Sequence, residues 1–173
     1  VSEERCSDET PTQSCGDGTE GHCVIVLRSF RKFRGLAGVR LGCAIGHPDT
    51  RAPMKDLLGQ WAVSGPALEI GARALEDSDW AQATRTRLAQ DATRLERLMT
   101  KAGASLVGGT DLFRLYEVAN AQTAQDHLAQ HQIWSRIFPY SKTWLRLGLP
   151  QPDRWPQLET ALGPAGGAMR PGA

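Results

Sequence analysis

The feature that most constrains this chain is a short apolar run, Val24-Ile25-Val26-Leu27, that opens directly into a segment crowded with cations and glycines. The run is mostly β-branched and bounded by polar residues, which predicts a strand buried on both faces. The segment that follows, Arg28 to Gly42, carries Arg28, Arg31, Lys32, Arg34 and Arg40 among Gly35, Gly38 and Gly42. Glycines at that spacing prevent a regular helix and permit close backbone approach or turns with positive φ. A strand end thus delivers a cationic turn, and a weaker strand over Leu41–Gly46 follows, closed by His47-Pro48-Asp49.

Downstream, residues Met54 to Leu75 are compatible with helix but interrupted at Trp61–Pro66, because Pro66 pushes Gly65 away from helical geometry. Ser78 is the expected N-cap of a long helix ending at Ala102 before Gly103. Leu88, Ala92, Leu95, Met99 and Ala102 step by four, three, four and three residues and so form one face. Arg85, Arg87, Arg94 and Arg97 fall on other faces, as a solvated surface would. Ala104–Val107 and Leu112–Val118 read as strands joined through Gly108-Gly109-Thr110, the second alternating about Arg114, Tyr116 and Val118. Thr123–Gln132 reads as a helix, Ile133–Phe138 and Thr143–Leu149 as strands, and Asp153–Leu162 as a last helix. The expected organisation is a loop over 1–23, a partial α/β domain over 24–77, an α+β domain over 78–162 and a disordered Gly/Pro/Ala-rich tail over 163–173.

Charge and composition exclude several functions. Twenty Lys plus Arg against nineteen Asp plus Glu leave a net charge of +1, which argues against whole-chain nucleic-acid binding or a polybasic membrane anchor and leaves local patches open. No apolar run approaches the ~20 residues of a membrane span. The chain begins Val1-Ser2-Glu3-Glu4-Arg5, with no basic and apolar leader, so a processed chain or fragment in the cytoplasm is expected. Cys6, Cys15, Cys23 and Cys43 show no Cys-x-x-Cys spacing and read as reduced thiols. His127 and His131 lie one helical turn apart, but no thiol or carboxylate completes a metal site, and they read as a solvated helix face.

The segment from Ser29 to Gly42 carries the chemistry. Ser29 offers a hydroxyl, Arg40 a forked guanidinium suited to phosphate, and the glycines bring backbone amides close. Lys32 places an amine among these cations, and partial desolvation there would favour its nucleophilic, neutral form toward a carbonyl. Residue types alone leave a solvated basic loop open as the other reading.

The order Ser29-x-x-Lys32-x-x-Gly35-Leu36-Ala37-Gly38-x-Arg40-x-Gly42 resembles the cofactor-lysine motif of the class I/II aminotransferases, fold type I enzymes that use pyridoxal phosphate. Trp61-Ala62-Val63-Ser64, Gly109 to Phe113 and Thr143 to Gly148 are similar to further segments of that family, and coverage runs from about residue 24 to 162. Ile133 to Tyr140 and Trp144 to Pro150 resemble its threonine-phosphate decarboxylase branch, from cobalamin biosynthesis. The resemblance implies an α/β chain corresponding to the C-terminal part of the fold, a remnant of the large-domain sheet plus an α+β small domain. It implies that Lys32 bonds the cofactor, that Ser29 and Arg40 hold its phosphate, and that Arg146 forks the substrate carboxylate. Arg136 is a second candidate, for a substrate phosphate or for a surface ion pair. A phosphorylated amino-acid substrate and a homodimer are implied as well; decarboxylation and transamination, as in the histidinol-phosphate aminotransferases, both remain open.

Departures from the family also carry expectations. Its chains are roughly twice as long, Ser2 falls where the family has an aspartate at the pyridine nitrogen, and Arg31 and Arg34 replace small or aromatic residues. These departures predict a chain inactive by itself, with surface lysines labelled at random or not at all, or a degenerate module that only dimerises or binds.

Overall fold

The computed structural model describes residues 25–163 and Met169, and these divide into two compact units between Gln82 and Ala83, inside a helix. The expectations for residues 1–23, including Ser2, His22 and three of the cysteines, lie outside the described residues; Cys43 is a free, exposed thiol.

In the first unit, β1 (Ile25–Ser29) and β2 (Gly42–Gly46) form an antiparallel pair in which Ser29 faces Gly42 and Ile25 faces Gly46. The expectation of a strand buried on both faces is corrected here: only Val26 is buried, and Leu27 is 53% exposed. A two-stranded ribbon buries alternate residues, and β2 is the strand's one neighbour among the described residues. The helical stretch expected from Met54 begins earlier, as α1 (Pro48–Leu58) with the His47 ring as its cap, so His47-Pro48 starts a helix rather than closing a strand. Pro66 likewise starts α2 (Gly65–Glu76) instead of breaking one, because a proline in the first turn lacks only an N–H that would have no partner there. Ser64 Oγ accepts from the Ala67 N–H and completes that start.

The helix α3 (Ser78–Ala102) has its bounds as expected, but its cap is Asp77, whose Oδ1 accepts from the Trp80 N–H at 2.9 Å. In the second unit the sheet runs β3-β4-β6-β5, all antiparallel, from β3 (Ser105–Thr110), β4 (Phe113–Glu117), β5 (Arg136–Phe138) and β6 (Ser141–Gly148). The helices α4 (Ala121–Gln130) and α5 (Trp155–Ala161) share its core with α3. Leu95 and Met99, Ala124 and Leu128, and Trp155 and Leu158 meet Tyr116, Val118, Leu145 and Leu147 there. The three-four spacing read in α3 and the alternation read in β4 place these side chains on the core face. Met169 is fully buried in this core, which corrects the expectation of a disordered tail at that residue, its flexible thioether filling space beside the helices.

Two expectations of solvated surface are also corrected. Arg94 pairs with Glu159 at 2.6 Å and lies 4.3 Å over the Trp155 ring, fastening α3 to α5. His127 Nε2 is 2.8 Å from the Ala161 carbonyl and His131 Nδ1 is 3.0 Å from the His127 carbonyl, so both rings serve helix ends. No cluster of three metal-ligating side chains occurs among the described residues, and no described helix is long and apolar enough to cross a membrane.

The Tyr116 hydroxyl is buried without a hydrogen-bond partner among the described residues. Burial pushes its ionisation up, against the opposing charge of Arg114. The folded state therefore keeps its phenol proton where the unfolded chain begins to lose it, and stability falls as pH rises beyond about 10. Tyr116→Phe removes an unsatisfied polar atom and this alkaline loss. Its melting temperature is expected at or above the parent's at neutral pH, with the gap widening in alkaline buffer; a drop of several degrees at neutral pH would show that the hydroxyl is bonded.

Candidate active site

The sequence between β1 and β2 folds around two phenylalanines. Phe30 and Phe33 are buried, and their burial turns Arg31 and Lys32 outward. The turn closes with the Gly35 N–H donating to the Lys32 carbonyl at 3.0 Å, and Gly35 takes φ +67, a conformation open to glycine at little cost. The Leu36 N–H then returns to the Phe30 carbonyl at 2.9 Å, and one 3₁₀ turn over Ala37–Val39 leads to Arg40. Arg34 Nη1 donates to the Ala74 carbonyl, and its guanidinium lies 5.5 and 5.6 Å from the Phe33 and Trp80 rings. Its charge is spent on pinning the turn to α2 and α3 rather than standing loose beside the lysine, as the sequence alone would have it.

This scaffold opens a cavity of about 180 Å³ lined by Ser29, Arg31, Ala37, Arg40, Leu41 and Gly42. Ser29 Oγ accepts from the Arg31 N–H at 3.4 Å, which leaves its own O–H free to donate. Arg40 is held at φ 57, a left-handed conformation that costs a non-glycine residue about 1–3 kcal/mol and directs the backbone at the cavity's edge. No carboxylate among the described residues pairs with Arg40. A hydroxyl donor and an unpaired guanidinium around a small cavity match a phosphate monoester, so the residues present fit the phosphate of pyridoxal phosphate. Lys32 does not line the cavity and is exposed, which corrects the expected partial desolvation: the buried Phe33 beside it holds the amine outward.

The second unit carries the other cluster. Along β6, Leu145 and Leu147 point into the core, so Arg146 lies on the opposite face. In the β5–β6 register Arg136 stands directly across from Arg146. The two candidates, ten positions apart in sequence, are thus cross-strand neighbours. The Arg146 guanidinium lies 4.9 Å over the Phe113 ring, and that of Arg136 lies 5.4 Å over Phe138. Phe113 is placed there because Leu115 of β4 pairs with Arg146, putting Phe113 on the same face. Like charges directly opposite in a sheet destabilise it, and no carboxylate among the described residues offsets this pair. The expected alternative of a surface ion pair at Arg136 does not occur among the described residues. Phe113, Phe138 and the cavity-lining Arg31 are not among the residues singled out from sequence; Phe113 has a signal in its alternation with Tyr116 and Arg31 in its place among the cations beside Lys32, while Phe138 has none.

Comparison with known proteins gives these clusters a context. The aminotransferase class I and II profile matches residues 6–155. A threonine-phosphate decarboxylase from Sinorhizobium sp is 43% identical over 126 residues, covering 73% of this chain and 37% of that protein. Another, from Pseudomonas aeruginosa, is 37% identical over 161 residues, covering 92% and 48%. Among solved structures, a histidinol-phosphate aminotransferase from Sinorhizobium meliloti in complex with pyridoxal-5'-phosphate superposes with a TM-score of 0.79 at 22% identity, over 90% of this chain and 45% of that one. An L-threonine-O-3-phosphate decarboxylase from Porphyromonas gingivalis gives 0.68 at 15% identity, over 85% and 48%. The fold is therefore that of part of a fold type I enzyme, and the chain spans less than half the length of each of these relatives. On the extent of the profile match and the identity to these relatives, the chain belongs to the aminotransferase class I and II family.

Proposed function

We propose that this chain supplies the lysine, the phosphate cradle and the substrate-anion face of a pyridoxal-phosphate-dependent decarboxylase acting on a phosphorylated amino acid such as O-phosphothreonine. The observation that carries the substrate class is the Arg136–Arg146 pair, two unneutralised guanidiniums in register on one sheet face. A ligand with a carboxylate and a phosphate relieves their mutual repulsion, whereas a singly anionic ligand leaves one charge uncompensated. The likeness to two threonine-phosphate decarboxylases supports the same substrate.

Lys32 would bond the cofactor aldehyde, and Ser29 and Arg40 would hold its phosphate. When bound, the cofactor supplies an electron sink for the pair released at the substrate Cα. The protein's own part is positional. Arg146 grips the carboxylate as a fork and Arg136 the phosphate, and the Phe113 and Phe138 rings orient the two guanidiniums by cation–π contact. Two fixed anions set the rotation of the substrate about Cα, and that rotation selects which bond breaks. A homodimer, as the family resemblance implies, is part of this reading.

The sequence departures led to an expectation of random labelling; the cavity formed at Ser29 and Arg40 supports the opposite result. Borohydride reduction with pyridoxal phosphate, followed by peptide mapping, is expected to find the adduct at Lys32, lost in Lys32→Ala and weakened in Arg40→Ala. Carbon dioxide released from O-phosphothreonine, with no 2-oxo acid formed, would then mark decarboxylation. Labelling spread over surface lysines would overturn the proposal.

A further inference from the structure

Arg31 lies one residue before the lysine, and in the structure it lines the same cavity as Ser29 and Arg40. Its backbone N–H donates to Ser29 Oγ, so the turn that presents the serine hydroxyl also fixes where the Arg31 side chain begins. The nearby arginine, Arg34, is committed to the Ala74 carbonyl and to two aromatic rings. Arg31 has no carboxylate partner among the described residues and is exposed at the cavity mouth. Two arginines lining one cavity of about 180 Å³ bring like charges together, and a dianion there offsets both charges where a monoanion offsets one.

We infer that Arg31 is a third contact for the phosphate in the Ser29–Arg40 cavity, binding it with its guanidinium alongside the serine hydroxyl and Arg40. This rests on the cofactor reading above for the identity of the phosphate, but not for the existence of the anion site. A guanidinium gives this cradle a second fork, so phosphate affinity depends on charge and planarity at position 31.

The test uses the full chain and three probes: pyridoxal phosphate, pyridoxal without its phosphate, and inorganic phosphate. Arg31→Gln is expected to weaken pyridoxal phosphate, followed by absorbance titration, about tenfold. It should leave pyridoxal binding unchanged, and Arg31→Lys should recover part of the loss. Inorganic phosphate, followed by ³¹P line broadening, should lose affinity in Arg31→Gln by a similar factor. Equal pyridoxal-phosphate and phosphate affinity in Arg31→Gln and the parent would overturn the inference, as would a parallel loss of pyridoxal. An adduct at Lys32 without Arg31 dependence sinks this inference alone. Arg31-dependent phosphate binding without an adduct at Lys32 sinks the cofactor reading and leaves the anion site standing.

Discussion

Arg146→Ala is expected to weaken binding of O-phosphothreonine about 100-fold or more while leaving the melting temperature of the chain unchanged or slightly raised. The binding loss follows from the proposed role of Arg146, a fork that would make charge-assisted bonds to the substrate carboxylate. The neutral or favourable effect on folding follows from the register, because Arg146 stands across from Arg136 and its removal relieves a like-charge pair. Loss of the contact to the half-buried Phe113 ring, about 1 kcal/mol, works the other way and keeps the net change small. Arg146→Lys keeps the charge but loses the planar fork, so it should fall between the parent and the alanine variant. Arg136→Ala should reduce discrimination between O-phosphothreonine and threonine more than it reduces threonine binding itself. Isothermal titration beside thermal melts separates the cases. Binding lost together with stability would mean that Arg146 holds the sheet and not a ligand.

Part of the geometry around these residues is legible in the sequence, though unevenly. Ser29, Lys32 and Arg40 stand out because a strand end, three glycines and a cluster of cations share one short segment, and the structure gathers Ser29 and Arg40 on one cavity. Lys32 was misjudged in its surroundings, since exposure depends on which neighbours find a core; Phe30 and Phe33 do, and the lysine between them does not. The core of the second unit followed from helix and strand periods, as with Leu95, Met99, Tyr116 and Val118. Register was the hidden variable. Nothing local shows that Arg136 meets Arg146, because that pairing depends on a short edge strand and on an irregularity between Ile137 and Phe138. Capping was also partly hidden: Asp77 and Ser78 are both good caps, and only the backbone decides between them. Pro66 reads as a breaker in sequence because the same residue stops one helix and starts another, and only Ser64 accepting from Ala67 distinguishes the two.

Gly109→Ala is expected to destabilise the second unit by at least about 3 kcal/mol, which for a unit of this size lowers its melting temperature by roughly 10 °C or more. Gly109 sits in β3 at φ +142, where an L-residue is strained whatever the space around it. Space is absent too: a Cβ there would lie 2.4 Å from the Phe113 carbonyl oxygen and 2.8 Å from the Arg114 Cα. Those are backbone atoms, so relief requires the β3–β4 pairing itself to move, just after the bulge between Leu106 and Gly108. Gly108 next to it provides the control, since a Cβ at that position meets nothing within 4 Å and its φ is not in the left-handed region. Gly108→Ala should therefore change stability by less than about 1 kcal/mol, and the lower backbone entropy of its unfolded chain favours a gain. The hairpin also presents Phe113 to Arg146, so Gly109→Ala should weaken O-phosphothreonine binding even below its melting temperature. If both glycine variants melted alike, the strain at Gly109 would have no weight in the fold, and the placement of Phe113 under Arg146 would need another support.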